Sequence, residues 1–356
     1  MLKVAIIGCG HIAKKHAEIL SNGSIMGIRL EAVCDQDKFR ANEFGDKYGV
    51  NSYINFHEMM KKEQIDLVSV LTHSGSHADI VQELSKFKKD IVVEKPIALT
   101  LDDSKKMIDA CSDYKVRLFV VKQNRYNPPI LALKKAILDG KLGSLNLGTV
   151  RLRWARDNNY YKSESWRGTW EKDGGVLSNQ AIHYLDLLQW MMGDIETISA
   201  IGATRMADIE AEDTAIVSIK FKSGALGAIE ATTTARPSNI EASLSILGTN
   251  GTVEIAGMSA DKVVHWKFME DEVTEKESII HLNKEKKIFG SSHIDFYNDV
   301  VNSIKNDLPP KIDGYEGLKS LKMVVAAYES MENGETIFFD NFKPKLCKLG
   351  KKYEDN

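Results

Sequence analysis

Four side chains in this 356-residue sequence have types and spacing suited to chemistry. In "DGGVLSNQAIHYLDLLQWMMG", residues 173–193, the spacing predicts a helix on which Asn179, His183 and Asp186 stand at i, i+4 and i+7 and share a face. Beside them Leu177, Leu185, Leu188 and Met192 recur as an ordinary core stripe. An amide, an imidazole and a carboxylate in a row read either as a solvated polar face or as the wall of a site. Asp186 is accordingly either an orienter of the His183 imidazole or an unpaired surface carboxylate. The fourth group is Lys95 in "EKP", Glu94-Lys95-Pro96, at the end of an apolar strand. Pro96 favours extended geometry at Lys95 and makes a cis Lys95–Pro96 bond plausible, aiming the ammonium toward a crevice. An imidazole with intrinsic pKa of about 6.5 suits removal of a hydroxyl proton, whereas a lysine near 10.4 suits stabilising an alkoxide. The pair fits oxidation of a secondary alcohol, in which hydride and proton leave together.

The elements that must position these groups begin with apolar runs alternating with helical patterns. "LKVAIIG", "RLEAVCD", "IDLVSVLT", "DIVVEKP" and "VRLFVVKQ" read as buried strands of a doubly wound α/β domain over residues 1–123. Thr100 and Asp103 give a capping-box-like start to the helix before the last of them. The turn after the first strand is "GCGHIA". Gly8 permits the tight turn, Gly10 lets a pyrophosphate approach, and Ala13 allows close helix packing. With His11 and Ile12 opening the helix, a dinucleotide phosphate is expected at its positive end. Asp35 closes the second run, where a carboxylate holds adenosine ribose hydroxyls and repels a 2′-phosphate, so NAD is expected; a helix N-cap is its other reading. Thr72 and His77 in "LTHSGSH" fall at the same carboxyl edge, as does Glu94.

Beyond "KQNRYNPP" the pattern changes to one helix and then strands: "LNLGTVRLRWAR", "ETISAIGATR", "DTAIVSIKF", "GALGAIEATTT", "ASLSILG" and "GTVEIAG". These predict an α+β domain over 124–340 with a large, mainly antiparallel sheet, one face on helices and one open to a partner subunit. In "SILGTNGTVEI", Asn250-Gly251 suits the left-handed positions of a tight hairpin turn. "SSHIDFYNDVVNSIKND" and "GYEGLKSLKMVVAAYESMENG" read as helices, and 341–356 as a polar tail.

Net charge is −3, with 43% hydrophobic and 27% charged residues, which argues against nucleic acid or an anionic membrane as partner. Cys9, Cys34, Cys111 and Cys347 lack metal-ligand spacing, so no metal is expected and a reducing cytoplasm is. No run approaches the roughly 20 apolar residues of a membrane span.

The glycine turn, the EKP lysine and the Gly-Gly segment with its Asn…His pair resemble, in that order, the glucose-fructose oxidoreductase/inositol dehydrogenase (Gfo/Idh/MocA) family. "FVVKQNRYN", "WRGTWEKDGGVLSNQAIHYLDLLQWMMGDIETISA" and "SILGTNGTVEIAG" resemble its UDP-N-acetyl-2-amino-2-deoxyglucuronate 3-dehydrogenases, enzymes of bacterial surface-polysaccharide biosynthesis. The resemblance implies catalysis by Lys95 and His183. It implies NAD contacts from Gly8, Gly10, His11, Ile12, Asp35, Thr72, His77, Glu94, Lys95, Gln123 and the Trp166-Arg167 pair. A nucleotide-sugar substrate would meet Lys95, Asn124, Arg125, Arg156, Asn179 and His183, the arginines taking its carboxylate and diphosphate. Where many members carry aspartate, this sequence has Asn179, which cannot be a base and suits a hydrogen bond to the sugar. A homodimer or homotetramer is implied as well.

Overall fold

A computed structural model of the chain describes residues 1–269, 277, 279, 280, 283 and 291–352. The apolar runs of the first third form a parallel sheet, as strands buried on both faces should. It contains β1 (Leu2–Ile7), β2 (Ile28–Cys34), β3 (Asn51–Tyr53), β4 (Leu67–Val70), β5 (Asp90–Val93) and β6 (Leu118–Val120), in the order β3-β2-β1-β4-β5-β6. β3 is absent from the runs read in the sequence because its three residues, NSY, carry no apolar signal. Strand order reverses at β1 and β4, the place where such sheets open a ligand crevice. Five helices connect the strands: α1 (His11–Ser21), α2 (Lys38–Tyr48), α3 (Phe56–Lys62), α4 (His77–Ser85) and α5 (Leu101–Asp113). The Thr100 hydroxyl caps α5 by accepting the Asp103 N–H at 3.0 Å, and donates to the Asp103 carboxylate.

After α6 (Pro128–Leu138) come β7 (Leu145–Arg153), α7 (Asn158–Lys162) and α8 (Ile182–Met192). The remaining strands are β8 (Ile195–Ala203), β9 (Thr214–Phe221), β10 (Leu226–Thr232), β11 (Glu241–Gly248), β12 (Gly251–Ala256), β13 (Lys262–Phe268) and β14 (Ile337–Phe338). They form an eight-stranded sheet, β13-β12-β11-β7-β10-β9-β8-β14, antiparallel except where β10 meets β7. Gly148, Val150 and Leu152 of β7 face inward. A Cβ on Gly148 would lie 2.7 Å from Leu188, so the missing side chain lets α8 close on the sheet. The opposite face carries an ion-pair ladder in which Arg151 and Arg153 meet Glu230, Glu241 and Glu254.

Two helices follow, α9 (Ser291–Lys305) and α10 (Gly314–Asn333). By contacts the chain forms two compact units: Met1–Gln123 with Ile288–Leu318, and Asn124–Lys287 with Lys319–Asn356. The sequence places all of 124–340 in one body. The structure returns 288–318 to the first, where Val120 donates its N–H to Ile312 O at 3.0 Å and His16 meets Tyr297.

Three local readings change. Residues 173–181 are turns, and α8 starts only at Ile182. The hairpin of β11 and β12 is present, but neither Asn250 nor Gly251 is left-handed. Its turn is instead tied to a neighbouring loop, Thr249 and Asn250 donating to Ser144 O and Leu142 O. Gly251 serves close packing, since a Cβ there would meet Phe268 at 2.4 Å. Finally, the expected polar tail is packed up to Gly350. Cys347 and Leu349 are buried, and the N–H groups of Lys345, Leu346 and Cys347 all donate to Glu329 Oε2. Residues 353–356 of that tail lie outside the described residues.

Candidate active site

In the first unit the glycine turn is shaped by contact. Gly8 has φ +95°, and a Cβ there would lie 2.8 Å from the Leu71 and Thr72 backbone. At Gly10 a Cβ would meet nothing within 4 Å, so the turn is open on that side. Gly10 is the N-cap of α1 and supplies no side-chain cap, leaving the first-turn N–H groups to a ligand anion. Ala13 is fully buried, His11 is exposed and Ile12 half-buried. Asp35 braces the turn, its Oδ2 accepting the Cys9 N–H at 2.7 Å and its Oδ1 the Asp37 N–H at 2.9 Å. The N-cap of α2 is Asp37, which corrects the alternative reading of Asp35. An open turn at an uncapped helix, with a carboxylate alongside, fits a dinucleotide.

Other expected cofactor contacts are spread along the same sheet edge. The Thr72 hydroxyl accepts from Ser76 at 2.7 Å. His77 is buried, with Nδ1 3.0 Å from Pro96 O and Nε2 3.1 Å from Thr72 O. Its imidazole lies between two loop carbonyls; burial pushes its pKa down, and in the neutral form it donates to one of them. Glu94 is also buried. Its Oε1 faces His16 Nε2 at 3.1 Å and its Oε2 accepts the Lys95 N–H at 3.0 Å. Burial would raise its pKa, but the His16 hydrogen bond and nearby positive charge, Lys95 included, outweigh this and hold it at about 2. Lys95 follows at the rim, half-buried, with the Lys95–Pro96 bond cis as expected. Gln123 presents a buried Oε1 that no donor among the described residues meets.

In the second unit the Gly-Gly turn positions Asn179 and His183. Asp173 accepts from Gly168 N–H at 2.9 Å and from the Asn179 amide, while Ser178 Oγ donates to Asp173 O. Gly174 has φ +79°, and a Cβ on Gly175 would meet the Glu212 carboxyl at 2.0 Å. Asn179 therefore precedes α8, held by Asp173, and does not share a helical row with His183, which is half-buried in the first turn of α8. Glu212 underpins the turn. Its Oε1 accepts from Leu177 N–H at 2.9 Å and from Tyr328 OH at 3.0 Å, and Tyr328 OH in turn accepts the Gly175 N–H. Burial pushes the Glu212 carboxyl up to about 8, against the lowering effect of those donors.

The arginines separate into two kinds. Arg125 is buried and donates from Nε and Nη2 to the two oxygens of Asp186, each at 2.8 Å, with its guanidinium over Trp190. Asp186 is thus neither an exposed nor an unpaired carboxylate, and Arg125 is occupied. Asn124, beside it, is buried. Arg156 and Arg167 both lie over the Tyr160 ring, at 5.1 and 4.4 Å, and Arg167 also lies over Trp166. Among the described residues neither pairs with a carboxylate. Both Nε atoms and the adjacent Gln180 Oε1 are buried without a hydrogen-bond partner among the described residues. The pattern "RDNNYYKSESWR" holds this constellation, and the sequence reading missed Tyr160 at its centre; two arginines flanking aromatics were the available signal.

These features define an NAD-dependent oxidoreductase with a dinucleotide unit and a second, sheet-based unit. Residues 2–122 match the family model for an oxidoreductase NAD-binding Rossmann fold, and 134–338 that for the family's C-terminal alpha/beta domain. The chain belongs to the Gfo/Idh/MocA oxidoreductase family. It is 34% identical to the WlbA dehydrogenase of Bordetella pertussis, solved in complex with NADH and UDP-GlcNAcA (TM-score 0.86; 95% of this chain and 98% of that one). It is 35% identical to the WlbA dehydrogenase of Chromobacterium violaceum, solved with the same two molecules (TM-score 0.88; 95% and 96%). Against the D-apiose dehydrogenase of Paraburkholderia graminis it is 25% identical, over 94% of this chain and 89% of that one. Among the described residues no helix is long and apolar enough to cross a membrane.

Proposed function

We propose that this enzyme oxidises the C3 hydroxyl of UDP-N-acetylglucosaminuronic acid to the 3-keto sugar, in the biosynthesis of a bacterial surface-polysaccharide sugar. The observation that carries this reading is the similarity, along 95% of the chain, to two dehydrogenases whose solved complexes hold NADH and UDP-GlcNAcA. The Arg156–Tyr160–Arg167 cluster supports it. A substrate with a carboxylate and a diphosphate requires cations that no internal acid has neutralised, and guanidinium matches both groups bidentately.

Bound NAD supplies the hydride acceptor, the nicotinamide C4. The chain's own residues supply the rest. His183 takes the C3 hydroxyl proton on an imidazole nitrogen. Lys95 donates a hydrogen bond to the same oxygen and stabilises its alkoxide character. The Asn179 amide donates to Asp173, and we assign Asn179 a hydrogen bond to a sugar hydroxyl. Arg156 is assigned to an anionic group of the substrate, and the family resemblance assigns Trp166-Arg167 to the cofactor. Gly8, Gly10, His11 and Ile12 hold the pyrophosphate, and Asp35 the adenosine ribose.

The D-apiose dehydrogenase relative favours a second reading, another sugar or cyclitol as substrate with the same chemistry. The test is near-ultraviolet absorbance on mixing the purified protein with NAD and UDP-N-acetylglucosaminuronate, repeated with 2-oxoglutarate present while oxidised sugar and 2-hydroxyglutarate are followed. Reduced nicotinamide, or product in the second mixture, is the expected result. Silence in both overturns the substrate.

A further inference from the structure

Beneath the glycine turn of the first unit lies a buried chain of polar groups. Ser69 on β4 and Tyr297 on α9 join through their hydroxyls at 2.9 Å. Tyr297 OH is 2.7 Å from His16 Nδ1 on α1, and His16 Nε2 is 3.1 Å from Glu94 Oε1. Glu94 Oε2 accepts the Lys95 N–H at 3.0 Å. A carboxylate only accepts, so Nε2 carries the proton toward Glu94, and in a neutral imidazole Nδ1 accepts from Tyr297. With the imidazole neutral, the chain runs Ser69 to Tyr297, Tyr297 to His16 and His16 to Glu94; the Lys95 N–H donates to the far oxygen in either protonation state. His293 stands edge-on to His16, ring centroids 5.3 Å apart. Burial drives its imidazole down to about 3, so it adds an uncharged wall to the cluster.

We infer that His16 is a positioning residue for Lys95: through Glu94 it fixes the lysine backbone to the helix that opens at the cofactor turn. The links from Ser69 to Glu94 are buried, so water cannot replace a lost partner there cheaply, and the last, to the Lys95 N–H, is part-buried. The glycine turn and Lys95 approach the crevice from different strands, β1 and β5, with β4 between them. Parallel pairing sets the strand spacing, and His77 Nδ1 lies 3.0 Å from Pro96 O in the loop after β5. The side-chain strut from α1 to Glu94 adds a tie at the Lys95 N–H itself. No charge on His16 is required, since a neutral imidazole makes both bonds. The inference rests on the reading of Lys95 as the group that holds the reacting oxygen.

The test compares His16→Phe, His16→Gln, Tyr297→Phe, Lys95→Ala and the His16→Phe/Lys95→Ala double variant. Each is followed by steady-state kinetics, NAD titration, thermal melting and amide hydrogen exchange at Lys95. His16→Phe is expected to lower kcat about ten- to a hundredfold, the scale of an ångström of misplacement. KM and the NAD Kd should change less than kcat, because most of those contacts are assigned to other residues. The Lys95 amide should exchange faster. His16→Gln returns a donor to Glu94 and should recover most of kcat. On the Lys95→Ala background, His16→Phe should cost nothing further. Two results overturn the inference: an unchanged Lys95 amide in folded His16→Phe, or an equal kcat loss with and without Lys95. If His16→Phe does not fold, the same two readouts are taken from Tyr297→Phe, which removes the support behind His16. If Lys95→Ala keeps its turnover, the catalytic reading of Lys95 falls, and amide exchange alone then decides the positioning link.

Discussion

Arg125 and Asp186 face each other as a parallel pair, Nε to Oδ2 and Nη2 to Oδ1, both at 2.8 Å and both buried. The pair joins the turn before α6 to the middle of α8, three residues beyond His183. Removing one partner takes a buried counter-charge from the other. Arg125→Met should therefore destabilise the protein by about 3–5 kcal/mol. Arg125→Met/Asp186→Leu should recover a large part of that loss, and chemical denaturation of the three proteins measures it. Equal stability of single and double variants would mean that the charge pair contributes nothing beyond its packing.

Glu212 makes stability depend on pH in an unusual direction. Its carboxyl is raised to about 8 in the fold, chiefly by burial, against 4.5 as its ordinary value. Between those values the folded state holds a proton that the unfolded chain releases, so this group favours folding at low pH. Its contribution falls as pH rises from about 4.5 to about 8 and is level above that. Glu212→Gln keeps an acceptor for Leu177 and Tyr328 and cannot ionise. The stability difference between wild type and Glu212→Gln should shift toward the variant across that window, by a few kcal/mol in all. Urea midpoints at three pH values suffice to read it.

Gly8 and Gly49 share a left-handed backbone but differ in surroundings. A methyl group at Gly49 meets open space, whereas at Gly8 it meets the Leu71–Thr72 backbone at 2.8 Å. Gly49→Ala should cost about 1–2 kcal/mol of stability and leave NAD affinity intact. Gly8→Ala carries the same backbone penalty and also forces the turn off β4, so the NAD Kd should rise about tenfold or more, which corresponds to ~1.4 kcal/mol. Fluorescence titration with NADH separates the two.

Arg156 tests the anion assignment. Arg156→Met keeps an unbranched side chain and deletes the guanidinium that lies over Trp154 and Tyr160. KM for the UDP-sugar acid should rise by about tenfold or more, the range of a charge-assisted hydrogen bond. The NAD Kd should change little. An unchanged KM would move the carboxylate and diphosphate to other residues.

Much of this was legible in the sequence, for local reasons. The glycine turn, the helix it opens and the alternation of apolar strands with helices are neighbour-to-neighbour patterns, and the sheet follows from them. The sequence also drew attention to Asn179, His183 and Lys95 as polar groups out of place. What it concealed was pairing over distance. Nothing in the spacing of Asp186 reveals Arg125, 61 residues away. A helical period across 173–181 is formally good, yet Gly174 turns left-handed and Gly175 must lie against Glu212, so the helix begins later than its pattern. The tail reads as polar because Lys345, Lys348 and Lys351 outnumber the two side chains it buries, Cys347 and Leu349.

The return of 288–318 to the first unit bears on how the protein is made. As the chain leaves the ribosome, residues 1–123 emerge with β6 still lacking Ile312 and His16 lacking Tyr297. The whole of 124–287 must be synthesised before those partners arrive. The dinucleotide unit, begun before its neighbour, is therefore completed after much of that neighbour has been translated, and NAD gains a finished binding unit only once residues 291–318 have followed. Expression of residues 1–123 as a separate fragment would leave the strut under Lys95 without its Tyr297 end.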